Sequence, residues 1–135
     1  MNWIRILKFS ILLFISLTTL STCISYFWGI SALEYGKSKE FFLLSYGASS
    51  LLSIVILSIL AKKQEDFTFL HCTITCVICW LFSTATLAIL LETIYYPKTW
   101  IIDAPITIVE ISIATLIGVM IRRVNSLRLT QGANT

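Results

Sequence analysis

Four times along this chain a long run without charge is closed by charged residues. The first run is Phe9–Leu33, between Lys8 and Glu34. The second is Phe41–Ala61, between Glu40 and Lys62, and the third is Phe67–Leu91, between Asp66 and Glu92. The fourth, Asp103–Ile121, is closed by Arg122 and Arg123 and holds one carboxylate, Glu110, well inside it. About 20 apolar residues suffice to cross the hydrocarbon core of a bilayer. Each run meets that length and therefore predicts a membrane-spanning helix, at about residues 4–33, 41–62, 66–94 and 103–124, with a short polar tail over 125–135. Asp103 is the expected N-cap of the last helix, and Pro105 falls near its start, where a missing N–H costs little.

The connections are short: Glu34 to Glu40, Lys62 to Asp66, and Glu92 to Ile102. Short connections make consecutive helices antiparallel neighbours, so the expected fold is all-α, a single up-down-up-down bundle of four transmembrane helices over 1–135. Lys and Arg set its orientation. Arg5, Lys8, Lys62, Lys63, Arg122, Arg123 and Arg128 fall on one side, and Lys37, Lys39 and Lys98 on the other. The more basic side is expected to be cytoplasmic and to hold both termini. Tyr95, Tyr96 and Trp100 suit an aromatic belt at the opposite interface, as do Trp3 and Trp28 at their own.

Small and hydroxylated residues mark the faces expected to meet. They are Ser45, Ser49 and Ser53 in the second segment; Cys72, Cys76, Cys79, Ser83 and Thr86 in the third; Thr107, Glu110, Ala114 and Gly118 in the fourth. These spacings of three and four keep one helical face. In lipid, where apolar side chains gain nothing by leaving the acyl tails, small faces are what let helices approach.

Composition agrees. Of the residues, 57% are hydrophobic and 13% charged, and mean hydropathy is +0.88. A soluble domain carries about 25% charged residues, so most of this surface is expected to face lipid. A formal net charge of +3 sits beside the apolar runs, where it reports topology first. No nucleic-acid signature, phosphate loop or catalytic set is present, so an enzyme and a nucleic-acid partner are not expected, nor is a cofactor. Arg5 and Lys8 before an apolar run, and Leu20-Ser21-Thr22-Cys23 within it, raise signal-peptide and lipoprotein cleavage, but the run continues apolar to Leu33 and favours a retained helix. Lys62–Lys63 and Arg122–Arg123 fall short of the clusters of four to eight basic residues that read as lipid-headgroup sites.

The cysteines Cys23, Cys72, Cys76 and Cys79 lie in apolar runs, so a disulfide framework is not expected. With His71, three of them carry zinc-ligand chemistry, yet thiolates in lipid would be desolvated, and small seam residues are the better reading. Cys72 lies nearest the cytoplasmic face and is the candidate for S-acylation.

Glu110 is the one candidate functional group within the hydrocarbon. A carboxylate at that depth costs about 2.5–3.5 kcal/mol on insertion scales and should face other helices. The outer ends of the four segments are taken as level, with a rise of about 1.5 Å per residue. On that footing its neighbours are expected among Tyr26, Ser49, Ser50, Ser83, Thr84 and Thr86. There the carboxyl would carry its proton and share it with a hydroxyl. His71 lies too near the inner surface to reach it.

Two stretches, Asp66-Phe-Thr-Phe-Leu-His with Cys79-Trp-Leu-Phe-Ser-Thr-Ala-Thr-Leu-Ala, and Ile106-Thr-Ile-Val-Glu110-Ile-Ser-Ile-Ala, resemble the third and fourth helices of fungal MARVEL-type membrane proteins. That resemblance implies a small four-helix protein with both ends in the cytosol, in the plasma membrane or an endomembrane. It also implies a role in membrane-domain organisation, vesicle traffic or membrane apposition. Apart from the resemblance, the expected partners are the lipid bilayer and either further copies of the chain or a larger membrane complex. Two alternatives come from the residues themselves: a small oligomeric transporter or ion-coupled carrier using Glu110, and an accessory subunit of a larger membrane complex.

Overall fold

The computed structural model describes residues 2–28, 39–92 and 100–132. Among these every regular element is an α-helix: α1 Trp3–Trp28, α2 Lys39–Lys62, α3 Thr68–Leu91 and α4 Trp100–Gly132. Each is long and apolar enough to cross a membrane. Residues 29–33 of the first expected helix, the connection carrying Lys37, and the stretch with Tyr95, Tyr96 and Lys98 lie outside the described residues.

The helix ends follow local chemistry. α1 starts at Trp3 because Asn2 caps it: its Oδ1 accepts the Arg5 backbone N–H at 3.1 Å, which satisfies one of the four orphan donors of the first turn. α2 closes with tight turns, Lys63 N–H to the Leu60 carbonyl and Gln64 N–H to the Ala61 carbonyl. Two arginines then cover the carbonyls just past its end, Arg5 donating to Lys63 O at 2.6 Å and Arg122 donating to Gln64 O. Cations at a helix C-terminus also oppose its dipole. α3 has no side-chain cap. Phe67 before it and Glu92 after it take left-handed backbone angles, φ 50° and 53°.

α4 differs from expectation at both ends. It begins three residues before Asp103, so Asp103 is a first-turn acid rather than the N-cap, still favoured there by the dipole. Pro105 consequently lies inside the helix and leaves the Ile101 carbonyl without its usual donor. Past Arg123 the chain stays helical to Gly132. Polarity alone does not end a helix, and no Gly or Pro interrupts residues 122–131, so most of the stretch expected as a tail belongs to α4.

The core lies in the half of the bundle that holds the α2–α3 turn. Leu13 of α1, Leu57, Leu60 and Ala61 of α2, Cys72 and Cys79 of α3, and Ile111 and Ala114 of α4 form one buried cluster. The outward faces are apolar as well, with Leu43 and Ile89 more than three-quarters exposed, which suits acyl chains and not water. Many hydroxyls along the helices are satisfied locally, although the buried Thr115 Oγ1 of α4 has no partner among the described residues. Thr22, Ser58, Thr73, Thr84, Thr86 and Ser112 each donate to the carbonyl four residues earlier. In hydrocarbon, where no water can pair them, this is the cheapest arrangement. Between α1 and α3 a hydroxyl also reaches across helices: Ser10 Oγ lies 2.9 Å from the Ile6 carbonyl and 3.2 Å from the Thr75 carbonyl of α3.

Candidate functional site: the α2–α4 seam around Glu110

α2 and α4 share the most extensive helix–helix contact, and their small faces explain why. At one end the Tyr46 hydroxyl donates to Asp103 Oδ1 at 2.7 Å. Two turns on, Ser50 and Ser53 of α2 bring their hydroxyls to the Glu110 carboxyl. Two turns further, Gly118 presses on Ala61, so closely that a Cβ built there would stand 2.4 Å from the Ala61 Cβ and 2.8 Å from the Ser58 carbonyl oxygen. Tyr46–Asp103, Ser53–Glu110 and Ala61–Gly118 are each 57 residues apart. The contacts therefore advance in step along both helices, over about 22 Å for a rise of about 1.5 Å per residue.

Glu110 is half-buried, on the α2-facing side of α4. Beyond it toward Arg122 the seam turns apolar, with Ile111, Ala114, Leu57 and Leu60 all buried. The carboxyl thus sits where the hydroxylated part of the seam gives way to the packed core. Such a group can do two things chemically: hold two helices together by hydrogen bonds, and bind or release a proton.

Of the neighbours expected for Glu110, Ser50 is beside it, and Ser49 and Ser83 are half-buried on their own helices. Tyr26 is not in the bundle: it is 82% exposed and stacks edge-on to Phe27. Thr84 and Thr86 donate to the Trp80 and Phe82 carbonyls of their own helix. Ser53, absent from the expected set, is a partner. For Ser53 the reason is that α2 and α4 do not start level. α2 overhangs Asp103 by several residues, because Tyr46 and not Glu40 stands opposite Asp103.

Cys72 is wholly buried, its Sγ 3.8 Å from the Leu57 carbonyl of α2. That position in the core denies an acyl-transferring enzyme access, so S-acylation there does not fit the structure. Cys79 is buried, Cys76 half-buried and Cys23 exposed, all as free thiols. Among the described residues no three His, Cys, Asp or Glu side chains converge as metal ligands. His71 sits at the far end from Asp103, its Nδ1–H donating to the Phe67 carbonyl at 3.0 Å.

These helices describe a multi-pass membrane protein. No family model, curated protein or solved structure matches the chain.

Proposed function

We propose that this chain is a structural membrane protein, an up-down-up-down four-helix bundle with both termini on the more basic, cytoplasmic side, that organises membrane rather than catalysing a reaction. The observation that carries the reading is the α2–α4 seam, in which Ser50 and Ser53 of α2 stand beside the intramembrane carboxyl of α4. The in-step contacts of α2 with α4 support the two running in the same direction. Cys72, at the start of α3, against Leu57, near the end of α2, supports α3 running back along them. The likeness to MARVEL-type proteins adds membrane-domain organisation, traffic or apposition as the process. Tags at Met1 and Thr135 should both be cytoplasmic and a reporter within 34–40 should be outside; tags on opposite sides would overturn the topology.

One observation favours a second reading, a proton-coupled carrier. Glu110 lies at the inner end of a hydroxylated stretch that begins at Tyr46 and Asp103, an arrangement that suits a proton-binding group. The Glu110→Gln variant separates the two readings. In a structural protein the amide keeps the interhelical hydrogen bonds, so folding and cellular phenotype both persist. In a carrier the variant folds but loses its phenotype, and the wild type in liposomes shows substrate-dependent proton flux.

A further inference from the structure

At the opposite end of the bundle from Asp103, a cleft of about 840 Å³ opens between the start of α1, the α2–α3 turn and His71. It lies where the apolar runs of three helices end and charge resumes, which in a spanning bundle is the membrane–water interface. Four charged side chains line it, Arg5 and Lys63 against Glu65 and Asp66. The lining is balanced, two cations to two anions. A site for a polyanionic headgroup would carry an excess of cations.

Two side chains in the cleft wall are more than nine-tenths buried and leave a polar atom unpaired. They are Gln64, 7% exposed, and His71, 4% exposed, and in each the unpaired atom is Nε2. Their chemistry is opposite. The amide Nε2 of Gln64 can only donate. The carbonyl of Phe67 can only accept, so His71 Nδ1 carries the proton of that bond, and Nε2 of the neutral ring is an acceptor. A buried donor or acceptor without a partner is costly, by about 1–3 kcal/mol. One wall thus carries a buried unmet donor and a buried unmet acceptor, with both charge signs beside them. Around it Ile4, Leu7, Phe67 and Leu70 are exposed, an apolar surface on which acyl chains can lie.

We propose that this cleft binds the headgroup of a zwitterionic aminophospholipid, a phosphodiester bearing a primary ammonium. The phosphate oxygens take the Gln64 amide N–H and face Arg5 and Lys63. The ammonium donates to His71 Nε2 and faces Glu65 and Asp66. A trimethylammonium headgroup has no N–H to give His71, and a glycerol headgroup brings no cation to Glu65 and Asp66.

The test is native mass spectrometry of the full chain in detergent, titrated separately with phosphatidylethanolamine, phosphatidylcholine, phosphatidylglycerol and free phosphoethanolamine. One phosphatidylethanolamine should be retained about tenfold more tightly than either other lipid, the size expected from one charge-assisted hydrogen bond. Free phosphoethanolamine should bind far more weakly, since it lacks the chains. Gln64→Leu keeps the backbone carbonyl that Arg122 uses, and His71→Asn keeps a donor for the Phe67 carbonyl while removing Nε2. Each should cut the preference to less than threefold, and circular dichroism should show both folded. Should either not fold, the exposed pair Glu65→Gln with Asp66→Asn serves instead. Equal retention of the three lipids, a preference for phosphatidylglycerol, or an undiminished preference in a folded variant overturns the proposal. Free phosphoethanolamine binding as tightly as the lipid overturns the lipid as its source.

Discussion

Adding one methyl group at Gly118 tests the seam directly. The new Cβ would meet the Ala61 Cβ at 2.4 Å, the Ser58 carbonyl oxygen at 2.8 Å and the Lys62 amide nitrogen at 2.9 Å. Carbon atoms rest at about 3.5–4.0 Å, so α4 must move off α2 by about 1 Å. Two of the three obstacles are backbone and cannot rotate away. Overpacking of this kind costs about 1–3 kcal/mol, while Ala in place of Gly returns up to about 1 kcal/mol of helix preference. Gly47 supplies the control. It lies in α2, and a Cβ there meets nothing within 4 Å, so Gly47→Ala carries the preference term alone. Measured by reversible sodium dodecyl sulfate titration with far-ultraviolet circular dichroism, Gly118→Ala should be about 1–3 kcal/mol less stable than Gly47→Ala. Ala61→Gly added to Gly118→Ala should restore part of the loss, because it removes the 2.4 Å contact and leaves the two backbone ones. Equal stability of the two alanine variants would refute the close approach of α2 and α4.

Tyr46→Phe removes the donor to Asp103 and should lower stability by about 0.5–1.5 kcal/mol in the same titration; no change would mean that the bond contributes nothing across the seam. Cys72→Ala and Cys79→Ala each delete a buried sulfur and should cost about 0.5–1.5 kcal/mol, whereas Cys23→Ala, on an exposed position, should leave the midpoint unchanged. Elemental analysis of the purified protein should meanwhile find no stoichiometric metal.

The four helices were legible because each is a run too long and too free of charge for anything else. The seam faces were legible in part: Ser45 and Ser53 of α2, Cys72 and Cys79 of α3, and Ala114 and Gly118 of α4 are buried, whereas Thr86, expected on the α3 face, is exposed. Periodicity of three and four carries that information directly. What the sequence hid was longitudinal register. It depends on which residues of two helices stand opposite, and the Tyr46–Asp103 bond that sets it joins residues 57 apart in the chain. With the register known, Ser53 of α2 falls beside Glu110. The extent of α4 was hidden for another reason, since charge marks where a helix leaves the membrane and not where it ends. Asn2 could have been recognised as a cap, standing just before the periodic run. The cleft at His71 could not, because its walls come from three separate stretches.

Glu110 is the group on which the structural reading turns, and its replacement by Leu is the sharpest measurement. Leu keeps nearly the volume and removes the polar group that Ser50 and Ser53 stand beside, while Gln keeps a side chain that can hydrogen-bond to them. Interhelical hydrogen bonds in membrane proteins are worth about 0.6–2 kcal/mol. If Glu110 holds α2 to α4, Glu110→Leu should lose stability in that range and Glu110→Gln should match the wild type. A Glu110→Leu protein as stable as the wild type, or more so, would contradict the account, because the carboxyl would then be kept in the membrane for something other than holding helices together.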